Sequence, residues 1–139
     1  MQKNIINFVT IDNSVKTTNP DYDEKYFNDG LNKYTSLNTI DNIWLLSMQE
    51  ATKESFGFDL VAEKDIARQK KASDYSLCMG CHQYKHGEGN GNGWWLLRSP
   101  RYRWGDNVWI IGREGQSIHD YEVIDNSIGI VPAMQITLG

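Results

Sequence analysis

At 139 residues, 40% of them hydrophobic, the chain is long enough to form one domain with a real core. A net charge of −4 and a pI of about 5.3 exclude a generic nucleic-acid binder, whose affinity rests on a basic face. No stretch approaches the roughly 20 apolar residues that span a bilayer, and the apolar run inside residues 1–9 is shorter than the h-region of about 7–15 residues of a signal peptide.

These bounds leave a chain that is mature, cytosolic or cut from a longer protein, with no membrane insertion expected. The main basic cluster, Arg68, Lys70 and Lys71, reads as a solvated helix face. Five Trp and seven Tyr exceed what a core of this size needs, so some of these rings are expected on a contact surface.

Residues 5–11 form a mostly apolar run that can be a strand, and Asp12-Asn13-Ser14 reads as a turn. Residues 17–38 are polar and turn-rich. They predict a long ordered loop pinned by Tyr22, Tyr26, Phe27 and Tyr34, and residues 1–38 together read as a loop-rich lead-in. Ile43-Trp44-Leu45-Leu46 is a buried strand or strand end. Ser47 with Glu50 three residues later is a capping box, so a helix is expected from Met48 to about Ser55, stopping at Phe56-Gly57-Phe58. A second helix is expected over residues 64–72, with Ile66 and Ala67 inward and Lys64, Arg68 and Lys71 outward, continuing loosely to Leu77.

Residues 85–93 carry four glycines and read as a flexible loop. A phosphate cradle would need a strand before it and a helix with Lys-Ser or Lys-Thr after it, whereas here a strand follows. That strand is Gly93-Trp94-Trp95-Leu96-Leu97-Arg98-Ser99-Pro100, the densest apolar block and the expected centre of the sheet. Val108-Trp109-Ile110-Ile111, a Gly112–Gly115 break and residues 118–124 predict a hairpin, and Asp125-Asn126-Ser127 another turn. Residues 129–138 read as a strand with Pro132 at its start or on an edge. Two helices in the first half and an antiparallel sheet in the second make an α+β layout, taken as one domain over residues 1–139.

Cys78-Met79-Gly80-Cys81-His82 matches the Cys-x-x-Cys-His pattern of c-type haem attachment. A zinc site from Cys78, Cys81, His82 and His86 is the other metal reading, although adjacent Cys81 and His82 strain a shared tetrahedral site. A small metal- or haem-binding protein using these residues is the alternative function. Two cysteines near a loop, reduced or locally bridged, are the preferred account of the pattern. No Gly-x-Ser-x-Gly elbow surrounds Ser47, Ser99 or Ser117, and His119 and Asp120, neighbours on a strand, point to opposite faces. No enzyme activity and no cofactor are therefore expected. Tyr102, Arg103, Trp104, Asp106, Trp109, Arg113, His119 and Tyr121 interleave with Val108, Ile110, Ile118 and Val123. With the second set inward, the first forms an outer face of aromatic and guanidinium groups of the kind binding sites favour. A decorated solvent face is the competing reading.

Thr39-Ile40-Asp41-Asn42-Ile43-Trp44-Leu45-Leu46-Ser47, Glu50-Ala51, Trp94 to Pro100 and Gly129-Ile130-Val131-Pro132-Ala133 occur in that order. The chain in this respect resembles an uncharacterised bacterial and phage domain family. The family's pattern is Asp-x-hydrophobic-Phe-Leu-Leu-Ser, Trp-Trp-Leu-Arg-Ser-Pro and a terminal Gly-Val-Arg-Pro-Ala. The extra Leu in the tryptophan block and Val131 in place of an Arg depart from it, and the family's N-terminal region is abbreviated here. The resemblance implies a C-type-lectin-like fold, shared with formylglycine-generating enzymes and with the variable proteins of diversity-generating retroelements. It also implies a ligand-binding module whose recognition stretch is residues 101–128. The partner would be an unknown protein or surface ligand, the setting a phage particle or cell surface, with oligomer formation left open. Only Trp104-Gly105-Asp106 hints at a calcium-lectin motif.

Overall fold

The computed structural model describes residues 5–14, 36–60, 63–87, 89–101 and 104–138, with Arg101, Trp104 and residues 118–121 described by their backbone alone. Most of the loop expected over residues 17–38, with its four aromatic pins, lies outside the described residues. The architecture is mixed α+β: among the described residues, short helices precede a four-stranded sheet, accompanied by three two-stranded ribbons.

The first ribbons come from the N-terminal run, which forms two strands rather than one. β1 (Ile5–Ile6) pairs antiparallel with β10 (Ile136–Thr137), and β2 (Val9–Ile11) with β3 (Thr39–Asp41). At Asp12-Asn13-Ser14 the expected turn is present, with the Ser14 amide donating to Asp12 Oδ1 at 2.9 Å. β4 (Trp44–Leu45) pairs with β9 (Pro132–Ala133), and Pro132 begins its strand as expected.

Helix α1 (Met48–Ala51) starts where the capping box places it. Ser47 Oγ accepts from the Glu50 amide at 3.1 Å, and the Ser47 amide donates to Glu50 Oε2 at 2.8 Å. It ends four residues earlier than expected, and a separate 3₁₀ turn (Glu54–Phe56) closes on Gly57 at φ 82°. A left-handed residue there stops the helix, and glycine adopts it without steric cost.

The helix expected over residues 64–72 is absent. A single 3₁₀ turn (Ile66–Arg68) stands there with its faces reversed: Ile66 is 85% exposed and Arg68 fully buried. Hydrogen bonding explains the inversion. Arg68 Nε donates to Gly115 O at 2.7 Å, Nη1 to Ala51 O at 3.1 Å and to Asp59 O at 3.0 Å, and Nη2 to Glu63 O at 2.5 Å. A buried guanidinium is tolerated only when its donors are satisfied, and here four backbone carbonyls are the acceptors. Helix α2 (Asp74–Cys78) follows, with Ser73 as its N-cap.

The main sheet runs β7-β6-β5-β8, with β5 (Trp95–Arg101), β6 (Trp104–Ile111), β7 (Ser117–Glu122) and β8 (Gly129–Ile130). The tryptophan-leucine block is therefore an interior strand, as expected. The sheet is not wholly antiparallel, because β8 lies parallel to β5, with Trp95 opposite Gly129. The expected C-terminal strand breaks into β8, β9 and β10, each with a different partner. Leu46, Met48, Ala51, Trp95, Leu97, Trp109 and Ile111 form the core, with Phe58, Val131 and Ala133 packed against it. Burial alternates along β5: Trp95, Leu97 and Ser99 are inside, while Leu96, Arg98 and Pro100 are partly covered. The Trp95 indole N–H is satisfied at Arg68 O, 3.0 Å away.

Candidate functional site

The expected recognition face lies on the β6–β7 hairpin, so what holds that hairpin comes first. Between the pairs Leu96–Ile110 and Pro100–Val108 the chain takes four steps along β5 and two along β6, which is a bulge in β5. It releases Arg98 and Ser99 from the ladder toward α1. The Arg98 amide donates to Leu46 O at 2.9 Å, and Ser99 Oγ accepts from the Met48 amide at 2.8 Å. The Arg98 guanidinium pairs with Glu50, donates to Leu45 O at 2.9 Å and Asp12 O at 3.0 Å, and meets Asn13 Oδ1 at 3.1 Å. Leu-Leu-Ser-x-x-Glu and Arg-Ser are therefore two halves of one clamp. Their polar groups serve the scaffold.

At the turn end, the Gly112 amide donates to Gln116 O at 2.7 Å, and Gly115 sits at φ 83°. An added Cβ on Gly115 would lie 1.9 Å from Asp65 O, so the turn packs against the 3₁₀ segment with no room to spare. Asp65 caps that segment. Burial raises its carboxyl pKa, but amide donation from Asp59 and Ala67 and the charges of Arg68 and Lys70 outweigh this and hold it below its ordinary value. Lys64 donates a side-chain hydrogen bond to Glu114, 2.6 Å away, and lowers its pKa against the opposing effect of burial, with the Lys64 and Arg113 charges assisting.

The expected site residues divide into five groups. Tyr102 and Arg103 lie outside the described residues. Trp104, His119 and Tyr121 are placed by backbone on the adjacent strands β6 and β7, and their side chains lie outside what is described. Asp106 is exposed, and its carbonyl accepts from the Val123 amide at 3.0 Å, joining the two strands at this end. Trp109 is a correction: expected outside, it is 7% exposed and belongs to the core. β6 is interior to the sheet and covered on both faces, so Trp109 and Ile111 fill one side while Ile110, at 0% exposure, fills the other.

Arg113 sits at the opposite end of the hairpin, on the turn. Its guanidinium lies 3.5 Å from the Tyr84 ring centroid and its Nε 3.6 Å from Glu114 Oε1. It serves to stack the glycine loop on the turn. Asn92 does the same, donating to Gln69 Oε1 at 3.0 Å and Arg113 O at 2.8 Å. Val123, expected inside, is 50% exposed. Between Val108–Tyr121 and Ile110–Ile118 the register shifts, with three steps on β7 against two on β6. This bulge interrupts the two-residue alternation from which opposite faces for His119 and Asp120 were read.

Cys78 is an exposed free thiol at the end of α2, and Cys81 a partly buried one. Burial pushes the Cys81 thiol pKa up, against a hydrogen bond with Ser76. This disfavours the thiolate that a metal requires. His82 and His86 are exposed, and the His82 ring centroid is 5.9 Å from that of Trp94. No three His, Cys, Asp or Glu side chains gather as a metal site would require among the described residues. The four proposed ligands do not converge.

One concavity was missed in the sequence. A cleft of about 540 Å³ opens between β4, the Glu54–Phe56 turn and β9, with Trp44, Phe56, Phe58 and Trp95 in its wall. In the sequence, Phe56-Gly57-Phe58 marks only a helix stop. The signal for the cleft was two large rings flanking a glycine just beyond a helix.

Comparison with curated proteins gives no match, and neither does comparison with solved structures. A sequence model described as "Domain of unknown function (DUF6273)" matches residues 4–138. With that match running over nearly the whole chain, the protein belongs to the DUF6273 family.

Proposed function

We propose that this chain is a recognition module rather than an enzyme, and that it displays a binding surface from residues 101–128 at the open end of the β6–β7 hairpin. The carrying observation is the exposure there of Val123 at 50% and Ile124 at 82%, beside exposed Asp106 and Glu122. Adjacent apolar side chains left in water at the end of a firmly held hairpin favour contact with a partner. The clamp at Arg98 and the core around Trp95 supply the rigid base that a display surface needs.

The surface proposed here differs in membership from the outer face expected from the sequence. It comprises Tyr102, Arg103, Trp104, Asp106, His119 and Tyr121 with Val123 and Ile124, and it leaves out Trp109 and Arg113. The motif order, the paired terminal strands β1 and β10 and the short helices before a hairpin sheet support a C-type-lectin-like body. On that reading the chain serves as a retroelement-diversified variable protein or as a phage or cell-surface adhesin, with a protein or surface ligand as partner.

A library that randomises positions 102–104, 106, 119 and 121, with Trp109 kept, tests this by fold-dependent surface display. Most members are expected to fold as well as the parent. Loss of folding in most members would show that these positions are structural and would overturn the reading. Variation among sister isolates that clusters in codons 101–128 and spares Trp109 and Ile110 would mark diversified recognition.

A further inference from the structure

The 540 Å³ cleft belongs to neither the hairpin surface nor the Cys-x-x-Cys-His segment. Its volume falls in the range of about 300–1,000 Å³ that accommodates small organic ligands. Trp44, Phe56 and Phe58 line it, with the buried Trp95 beneath them. Lys70 and Gln135 are the polar side chains among its described lining residues, and none of those is acidic.

Lys70 is held in place. Its Nζ donates to Ala67 O at 2.8 Å, which leaves two of the three ammonium donors for another acceptor. The lining thus offers a wide apolar area and one ammonium, with no carboxylate among the described lining residues to repel an anion. A guest suited to it brings an aromatic or branched aliphatic body and supplies an acceptor, best a negative one.

We propose that this cleft binds a small organic carboxylate, its apolar body against the aromatic side chains and its carboxylate on Lys70. The inference does not depend on the hairpin reading, since the two sites share no residue.

The test uses 1-naphthylacetate and its uncharged counterpart 1-naphthylacetamide, titrated into the full chain by calorimetry and by quenching of tryptophan fluorescence. Saturable 1:1 binding of the acid is expected, with Kd about 1 mM or tighter for a ligand of this size. The amide is expected to bind about five-fold more weakly, the difference one partly exposed ion pair makes. Lys70→Gln is expected to bring acid and amide to equal affinity. Phe56→Ala, at a side chain 44% exposed and thus tolerant of change, is expected to weaken both. No saturable binding, equal affinity of acid and amide for the wild type, or an acid preference that survives Lys70→Gln would each overturn the proposal. Circular dichroism of both variants separates lost binding from lost fold.

Discussion

Arg98 Nη2 lies 3.2 Å from Glu50 Oε1 while its Nη1 meets Glu50 Oε2, joining the central strand to the first turn of α1 by a two-point ion pair. The side chains are only 12% and 19% exposed, so this pair is not screened as a surface bridge is. Arg98→Ala takes the guanidinium from the Glu50 carboxylate, which keeps only the Ser47 amide, and from the Leu45 carbonyl, and is expected to cost about 3 kcal/mol in urea denaturation. Lys, a point charge without the planar fork, should restore less than half of it. A loss under about 1 kcal/mol in the Ala variant would mean the clamp is incidental.

Trp109 and Asp106, three residues apart on one strand, should respond in opposite ways. Trp109→Ala empties a core site and is expected to destabilise by about 4 kcal/mol. Asp106→Ala, at an exposed position, is expected to stay within about 0.5 kcal/mol of the parent. Similar melting temperatures for both would move Trp109 out of the core.

Gly115 and Gly57 have nearly the same left-handed backbone, φ 83° and 82°, but different surroundings. Gly57 has nothing within 4 Å of an added Cβ, so Gly57→Ala is expected to cost only the conformational strain, about 1 kcal/mol. At Gly115 the same methyl would lie 1.9 Å from Asp65 O. Gly115→Ala must push the 3₁₀ segment away from the hairpin turn and is expected to cost at least about 3 kcal/mol or to prevent folding. Equal costs at the two positions would refute the close approach.

Asp65 should make the fold sensitive to acid. Its folded pKa lies below the ordinary value of 3.8, so the unfolded chain takes up this proton first as pH falls. The stability it contributes is present above 3.8 and is lost as pH drops through the folded value. Asp65→Asn should therefore flatten the fall in unfolding free energy below about pH 4 while leaving the slope near neutrality unchanged. Glu114 and Asp125, also held below their ordinary values, keep some slope in the variant. Parallel curves for parent and variant from pH 5 to pH 2.5 would exclude Asp65 as a contributor.

Local chemistry accounts for the features the sequence made legible. Ser47 and Glu50 start α1 because a hydroxyl and a carboxylate three residues apart satisfy each other's amides, whatever packs nearby. Gly112 to Gly115 turns the hairpin because it places a left-handed glycine between two apolar runs, and Pro132 begins a strand because its ring cannot donate inside one. The interior place of Trp95 and Leu97 follows from an apolar density that only the middle of a sheet can hide.

Position in the assembled fold decided the rest. Nothing in residues 64–72 announces that Arg68 faces inward, because the carbonyls that justify its burial come from Ala51, Asp59, Glu63 and Gly115, which are brought together only by folding. Trp109 was misplaced for a related reason. Alternation sorts residues onto two faces but does not reveal that both faces of β6 are covered. The bulges at Arg98–Ser99 and within residues 118–121 are equally invisible, since a shift of one or two residues in register depends on the partner strand. The residues alone thus determined the caps, the turns and the central strand, whose energetics close within a few positions. Tertiary structure determined which polar group is buried, which ring is core and where a cleft opens, because each depends on acceptors and surfaces supplied from distant parts of the chain.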